Sequence, residues 1–251
     1  MHRYFEINQN ENHIGCKIYC HDVKKVKRII IFCHGFVANK DYDAAEIFAN
    51  RLILKFEDAA VVSFDWPCHG DDNKKNLCLD DCNRYLNQVI AWLKQEFHTE
   101  ELYVYGASFG SYLSLKYISE NGNPFKKMAL CCPAVNMHEV LTKVIMTSDD
   151  FVKLQTQEEV LVGFDYKVPV GYRFLDELQR NDVQCMNYVD YAKDILIIHG
   201  TADEIVPYDV VQTFAKNNGI GFVSIADADH RFLDEDKMEQ VVQYILDFFE
   251  L

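Results

Sequence analysis

Short, nearly continuous runs of apolar residues recur along the chain and alternate with longer amphipathic segments. Such runs are typical of strands buried on both faces of a parallel sheet, and amphipathic segments are typical of the helices that cover it. Two alternating segments, at 3–8 and 13–20, come first and predict an antiparallel hairpin at the sheet edge. The alternation indicates an α/β fold. We predict strands at 27–33, 59–64, 102–105, 127–132, 195–198 and 222–225, and helices at 41–55, 80–98, 209–217 and 238–249.

Residues 134–190 interrupt this rhythm and show no clear alternation of strand and helix. Because the segment leaves the carboxyl end of a predicted strand, we interpret it as a cap that folds over the crevice there. Residues 1–133 and 191–251 then form one core. The aromatic and methionine side chains of the cap either wall a pocket or form a small core of their own: Met137, Met146, Phe151, Phe164, Tyr166, Tyr172, Phe174 and Tyr188.

Length and charge narrow the classes of function. A chain of 251 residues, 49% hydrophobic and 25% charged, has the size and composition of one large globular domain. The formal net charge of -14 disfavours binding to nucleic acid or to an anionic membrane surface, because both need a concentrated basic patch. No apolar run has the length of a membrane span, and the N-terminal segment lacks the features of a signal peptide. We therefore expect a cytoplasmic protein.

Nine cysteines are spread along the chain without paired C-x-x-C units. Their number is odd and several fall in predicted buried strands, so we expect reduced thiols rather than disulfides or zinc ligands. Cys16, Cys20 and His21 lie near one another, but a second pair of ligands does not accompany them. We therefore expect no metal site.

Ser108 lies in the turn between a predicted strand and a predicted helix. The residues 106–110, Gly-Ala-Ser-Phe-Gly, fit the G-x-S-x-G nucleophile elbow, in which small neighbours let strand and helix approach and the serine adopts a strained backbone. The helix begins at this serine, so its positive dipole end faces any negative charge that develops there. A serine between glycines is also common in ordinary turns, and it is the flanking strand and helix that favour a nucleophile.

Asp203 and His230 lie in loops that leave two later predicted strands. Since the carboxyl ends of parallel strands meet at one edge of a sheet, we expect both side chains to lie near Ser108. A serine hydroxyl needs a histidine to take its proton, and the histidine needs a carboxylate to hold its tautomer. We predict Ser108 as nucleophile, His230 as general base and Asp203 as the carboxylate that orients it.

The predicted strand at 27–33 runs directly into His34, Gly35 and Phe36. A glycine-containing turn at this place can direct free backbone N–H groups into the crevice. Phe36 N–H is therefore a candidate oxyanion donor, together with Phe109 N–H at the start of the helix.

Three polar side chains at the same edge of the sheet are expected to have structural rather than catalytic roles. His34 could act as a base, and Asp65 or His69 could contact a substrate, but we expect all three to brace loops by hydrogen bonding.

Rival catalytic groups are also present. Asp227 and Asp229 adjoin the predicted base in sequence, but neighbours on one loop rarely reach the required carboxylate-to-ring geometry. Cys33, Cys131 and Cys132 could act as nucleophiles, yet they lie in or at the end of apolar strands, where a thiol is inert.

Together these motifs resemble the α/β-hydrolase family over nearly the whole chain. The matching segments are HGF at 34–36, DWPCHG at 65–70, GASFG around Ser108, HGTADEIVP around Asp203 and DADH ending at His230. Their order of serine, aspartate and histidine is that of the family. They look most similar to small intracellular bacterial esterases of the serine-aminopeptidase-like or monoacylglycerol-lipase-like branch, which includes cinnamoyl and feruloyl esterases.

The resemblance implies an eight-stranded, mostly parallel sheet, a cap inserted after the sixth strand, a Ser-Asp-His triad and no cofactor. One position departs from the pattern: Cys68 stands where many relatives have glycine. This departure leaves the shape of the loop at 65–70 open, while the triad is unaffected.

We expect a hydrolase that cleaves small-molecule carboxylic esters through an acyl-enzyme, without a nucleic-acid partner. The aromatic-rich cap favours small or aromatic acyl groups such as hydroxycinnamate. An acyl-thioesterase, a lipase or a serine peptidase could use the same residues, and a ligand-binding module that retains only the fold is a further alternative. The sequence leaves open which cap residues bind substrate and whether the chain forms a homo-oligomer.

Overall fold

Eight strands form one sheet in the computed structural model of the chain, which describes residues 2–9, 12–72, 74, 76–164 and 166–250. The strands of the structure are β1 (His2–Gln9), β2 (Asn12–Cys20), β3 (Arg28–Cys33), β4 (Ala59–Phe64), β5 (Glu101–Ala107), β6 (Met128–Cys131), β7 (Glu159–Gly163), β8 (Lys167–Gly171), β9 (Ile195–Gly200) and β10 (Gly221–Ile225). The order across the large sheet is β1-β2-β4-β3-β5-β6-β9-β10, and β7 pairs only with β8. From β4 to β10 all neighbours run parallel, and β1 and β2 form an antiparallel hairpin at the β4 edge. The eight-stranded, mostly parallel sheet and its edge hairpin are confirmed.

Helices connect the parallel strands, and those outside residues 134–190 begin within three residues of where the sequence predicts them. They are α1 (Asp43–Lys55), α2 (Leu79–Phe97), α3 (Phe109–Asn121), α4 (Met137–Glu139), α5 (Ser148–Leu154), α6 (Tyr172–Arg180), α7 (Tyr208–Asn218) and α8 (Glu235–Phe249). The last helix begins three residues before its predicted start at Met238. Asp234 caps it, because its side chain accepts the backbone N–H groups of Asp236 and Lys237.

The core lies on both faces of the large sheet. Along β3, Ile29 and Ile31 pack on the side of α2 and α3, while Ile30 and Phe32 pack on the side of α1 and α8. All four side chains are fully buried, which explains why this strand is apolar throughout rather than alternating.

The segment between β6 and β9 contains α4, a following π-helical stretch (Val140–Ile145), α5, the β7–β8 hairpin and α6. Its aromatic side chains differ widely in exposure. Phe174 and Tyr188 are buried, whereas Phe164, Tyr166 and Tyr172 are more than half exposed. The exposed three therefore form no part of a small core.

Two features concern the chain as a whole: the apolar character of its helices and the state of its cysteines. Within the described ranges, no helix combines the length and apolar character needed to cross a bilayer. All nine cysteines lie in those ranges and carry free thiols; six are buried, Cys20 and Cys68 are half-buried, and Cys185 is exposed.

Candidate active site

The turn that carries Ser108 is held in a strained conformation by close packing. Ser108 has φ 51° and ψ -113°, a region that costs a non-glycine residue about 1–3 kcal/mol and persists only where the surroundings enforce it. A Cβ added to Gly110 would lie 2.0 Å from the backbone oxygen of Cys33, and one added to Gly106 would lie 2.9 Å from Ser111 Oγ. The two glycines therefore let α3 approach β3 and β5, and this approach keeps the serine between them.

Three side chains from separate loops meet at the carboxyl ends of β5, β9 and β10. His230 Nε2 lies 3.0 Å from Ser108 Oγ, and His230 Nδ1 lies 2.8 Å from Asp203 Oδ2. A carboxylate only accepts hydrogen bonds, so the ring proton is assigned to Nδ1 and Nε2 is left to accept the serine proton. The structure thus brings together the three residues that the sequence analysis selected.

Asp203 is fully enclosed and well supplied with donors. Its side chain is 0% exposed, and its Oδ1 accepts the backbone N–H groups of Ile205 and Val206 at 2.9 Å and 2.8 Å. Burial alone would raise the pKa of Asp203, but the hydrogen bond and charge of His230, aided by the Val206 N–H, bring that pKa below its usual value. The carboxyl group is therefore ionised at neutral pH.

Two further side chains adjoin this carboxylate: His199, which sequence reasoning missed, and Cys132, which it considered only as a rival nucleophile. His199 Nε2 lies 3.2 Å from Asp203 Oδ2. Cys132 has an Sγ atom within 4.8 Å of ligand atoms of both Asp203 and His230. The available signal was positional, since His199 is near the end of β9 and Cys132 directly follows β6, two strands that pair in the sheet.

Cys132, Asp203 and His230 form one cluster, with ligand atoms within 4.8 Å of one another. Burial raises the pKa of the Cys132 thiol well above its usual value, and the charge of Asp203 raises it further, so the thiol is protonated. Asp203 and His230 bind each other at 2.8 Å, so these two members of the cluster form a hydrogen-bonded pair.

The two candidate oxyanion donors lie next to the serine. A Cβ on Gly35 would be 3.4 Å from Ser108 Cβ, so the loop carrying Phe36 lies directly against the elbow. The rings of Phe36 and Phe109 pack edge to face, with centroids 5.7 Å apart. Among the described residues, neither backbone N–H donates to a protein acceptor. Both N–H groups therefore remain without a protein acceptor in the part of the chain that the structure describes.

His34 and His69 brace the loops around this crevice, as the sequence analysis expects. His34 Nε2 accepts the backbone N–H of Trp66 at 3.3 Å, and its Nδ1 lies 2.8 Å from Gly35 O. His69 Nδ1 donates to Pro67 O at 2.8 Å. Burial lowers the pKa of His34 to about 4 and that of His69 to about 3. Both rings are therefore neutral, and neither contacts the serine hydroxyl.

Asp65 orders the neighbouring loop instead of facing the crevice. Its carboxylate accepts the backbone N–H of Lys40 at 2.7 Å and that of Asp71 at 3.2 Å, and it forms an ion pair with the buried Lys40 ammonium. Cys68, in the same loop, has φ 64° and donates its N–H to Asp72 at 2.8 Å. The cysteine thus adopts the left-handed conformation that glycine takes most easily, and the loop keeps the shape that a glycine would allow.

The acidic neighbours of His230 in sequence point elsewhere. Asp229 accepts the backbone N–H of Arg231 at 2.8 Å, and Asp227 is an exposed residue of the turn. A third acid that sequence reasoning missed, Glu204, accepts the backbone N–H of His230 at 3.2 Å. It therefore helps to hold the histidine loop against the loop that carries Asp203.

A cavity of about 370 Å³ lies away from these residues, between α7 and Gln184. Its lining includes Gln184, Asp209, Thr213 and Asn217. None of the residues predicted for the site lines it, so this cavity does not identify where an ester would bind.

Comparison with known sequences identifies one family. A sequence model described as the alpha/beta hydrolase fold matches residues 28–158, about half of the chain. A monoglyceride lipase homolog of monkeypox virus is 28% identical over 138 residues, which are 53% of this chain and 48% of that protein. The chain thus matches about half the length of this curated relative.

Solved structures share the fold over the full chain. A putative hydrolase from Agrobacterium vitis S4 has a TM-score of 0.78 at 15% identity, with 99% of this chain and 98% of that chain covered. Est1E from Butyrivibrio proteoclasticus, solved with bound ferulic acid, has a TM-score of 0.75 at 17% identity, with 98% and 100% covered. At such identities the likeness concerns the fold alone.

Proposed function

The chain belongs to the α/β hydrolase fold family, and from this premise we propose that it is a serine hydrolase that cleaves carboxylic esters through an acyl-enzyme. One observation supports the proposal most strongly. The hydrogen-bonded series from Ser108 Oγ through His230 to Asp203 has distances of 3.0 Å and 2.8 Å, which are those of a nucleophile, its base and the group that orients the base.

In the proposed reaction, Ser108 Oγ attacks the ester carbonyl carbon while His230 Nε2 takes the hydroxyl proton. The tetrahedral intermediate then expels the alcohol, which receives that proton from His230. Water attacks the acyl-enzyme with His230 again accepting a proton, and the carboxylic acid leaves as Ser108 regains its hydrogen. Asp203 keeps the ring in the required tautomer and stabilises the imidazolium in both halves.

The negative charge of the tetrahedral intermediate is the largest electrostatic demand of this reaction. We assign it to the N–H groups of Phe36 and Phe109, which lie beside the serine and lack protein acceptors among the described residues. Removing one such donor typically costs about 10²–10³ in kcat.

Residues 134–190 serve as the cap in this proposal. Phe174 from this segment packs edge to face on Phe109, with ring centroids 6.2 Å apart, and Tyr112 of α3 donates to Asn181 O at 2.9 Å. These contacts attach the segment to the helix that begins at the nucleophile. They support a role in shaping the acyl side of the site.

The acyl preference is a narrower part of the proposal. Est1E, which shares the fold, was solved with ferulic acid bound, and this favours small or aromatic acyl groups such as hydroxycinnamates. Ferulate esters should then be hydrolysed faster than butyrate esters of the same alcohol. Equal rates on the two would remove the hydroxycinnamate preference and leave the esterase proposal standing.

A lipase is the second candidate, because the viral relative is named a monoglyceride lipase homolog. The same triad serves esters, thioesters and peptides, so only substrate preference distinguishes these classes of enzyme. The values of kcat/KM on monoacylglycerols, thioesters and peptides should therefore be compared with those on simple esters.

The proposal is tested by labelling with a fluorophosphonate, which reacts with activated serines, followed by intact mass. We expect one adduct on the wild-type chain and none on Ser108→Ala or His230→Ala. Ser119→Ala, which removes an exposed serine from the end of α3, is the matched control and should label normally. An unlabelled wild type with a normal circular dichroism spectrum would support the binding-module alternative instead.

A further inference from the structure

His199 is a buried histidine that contacts Asp203. It is the next-to-last residue of β9, and its side chain is 0% exposed. Its Nε2 atom lies 3.1 Å from Val206 O, in hydrogen-bond geometry, and 3.2 Å from Asp203 Oδ2. One edge of the ring therefore contacts both the carboxylate and the turn that holds it.

The contacts of His199 determine its tautomer. A carbonyl oxygen only accepts hydrogen bonds, so Nε2 must carry the proton that points at Val206 O. Nδ1 is buried and has no hydrogen-bond partner among the described residues, which fits an unprotonated nitrogen. Burial lowers the pKa of His199, although the Asp203 carboxylate opposes this change, so the ring is neutral at physiological pH. The N–H edge thus presents a fixed positive partial charge to the carboxylate.

Val206 connects His199 to the second oxygen of Asp203. Its carbonyl accepts from His199, and its own N–H donates to Asp203 Oδ1 at 2.8 Å. The histidine therefore acts on Oδ2 by direct contact and on Oδ1 through one peptide group. This leaves the carboxylate little freedom to rotate about its bond to Cβ.

The His199 ring packs against two aromatic side chains. Tyr208 and Phe222 pack on it with centroids 5.9 Å and 6.4 Å away. Titratable groups near Asp203 in the described part of the chain include His230, at 2.8 Å from the same Oδ2, the protonated thiol of Cys132, and Glu204, whose carboxylate accepts the His230 backbone N–H.

We propose that His199 is a positioning residue, which holds the Asp203 carboxylate in the orientation that His230 needs. This inference rests on the proposed hydrolase function. It makes two statements that can be tested apart from turnover: the wild-type His199 ring is the neutral Nε2–H tautomer, and losing its N–H weakens the hydrogen bond between His230 and Asp203.

The experiment compares the wild type with His199→Leu, His199→Gln and Phe222→Leu. Glutamine can place an amide N–H near the position of Nε2, whereas leucine cannot. Phe222→Leu removes a ring packed on His199 without removing a donor, and so controls for lost packing. Each protein is measured by steady-state kinetics on a simple ester and by nitrogen NMR of selectively labelled histidines. The proton on His230 Nδ1 is followed as well, because a hydrogen bond to a carboxylate moves its resonance downfield.

We expect His199→Leu to lower kcat about tenfold or more with little change in KM, since positioning acts on the reacting groups rather than on substrate binding. The His230 Nδ1 proton should move upfield or be lost by exchange. His199→Gln should recover most of both effects, and Phe222→Leu should leave them near wild type.

Three results would overturn the inference: an Nδ1–H tautomer of His199 in the wild type, an unchanged His230 resonance in His199→Leu, or equal losses in Phe222→Leu. The tautomer is read from the wild type, so a poorly folded variant does not prevent the test. An inactive wild type would count against the proposed function alone, because both NMR statements hold or fail without catalysis.

Discussion

His230 Nδ1 and Asp203 Oδ2 are 2.8 Å apart, although the two residues are separated by 27 positions and lie in different loops. Asp229 is adjacent to His230 in sequence but bonds the backbone of Arg231 instead. The pairing of His230 with a distant acid is thus a product of the parallel sheet, which places the ends of β9 and β10 side by side.

Asp203→Asn should therefore abolish most activity while leaving the site assembled. The amide cannot hold the Nδ1–H tautomer as a carboxylate does, and the comparable change in a serine protease lowers kcat about 10⁴-fold. Steady-state kinetics should show this loss with KM little changed. Asp229→Asn is the matched control, and a loss of similar size there would reassign the carboxylate.

Gly110→Ala should destabilise the protein strongly, because the new Cβ would lie 2.0 Å from the backbone oxygen of Cys33. Relief would require α3 to move from β3, so we expect the free energy of unfolding to fall by about 3 kcal/mol or more. Urea denaturation measures the change. Gly221→Ala is the control, since its nearest neighbour would be at 3.4 Å and an effect within about 0.5 kcal/mol is expected. Equal stability of the two variants would contradict the packing argument.

The stability of the fold should decrease as the pH falls below 6.5. In the unfolded chain His34 and His69 take up protons near their ordinary pKa of 6.5, whereas burial lowers their pKa in the fold to about 4 and about 3. Between these pKa values the unfolded state binds more protons than the folded state. Protonation of the two histidines in the unfolded chain therefore lowers the free energy of unfolding by a few kcal/mol as the pH falls, at ~1.4 kcal/mol per unit of pKa difference.

Urea denaturation at pH 7 and at pH 4.5 would measure this loss. His69→Asn can keep a donor toward Pro67 O and removes one titrating ring, so the difference between the two pH values should shrink. His21→Asn, which changes an exposed histidine, should leave the difference as it is. An unchanged difference in His69→Asn would show that this histidine does not contribute.

One cysteine should react much faster than the others with a thiol reagent. Cys185 is exposed, Cys20 and Cys68 are half-buried, and the remaining six are enclosed. A titration of the native protein with a disulfide reagent should show one rapid thiol, and nine after denaturation. Cys185→Ser should remove the rapid phase, and its persistence would mean that another thiol is accessible.

The sequence by itself predicted the strands and helices outside residues 134–190, and it selected the three residues that the structure brings together at one edge of the sheet. Apolar runs such as Ile29–Phe32 report burial on both faces of a sheet, and the G-x-S-x-G turn around Ser108 reports a strand that passes into a helix. Both signals are local in the chain. Ser108, Asp203 and His230 could be selected together because parallel strands bring their carboxyl ends to one edge of the sheet.

Only the tertiary structure decided which groups surround Asp203. His199 and Cys132 reach it because β6 and β9 pair in a register that places Cys131 beside Ile198, and no local pattern encodes that register. The β7–β8 hairpin within residues 134–190 was likewise not predicted. Its strands pair with each other and not with the large sheet, and burial alternates along β7. The outward positions are occupied by the apolar residues Leu161 and Pro169, so the sequence lacks the alternation of apolar and polar residues that marks a half-exposed strand. The pattern of apolar and polar residues in a short segment indicates whether that segment is buried. Contacts between distant segments depend on how the whole chain packs.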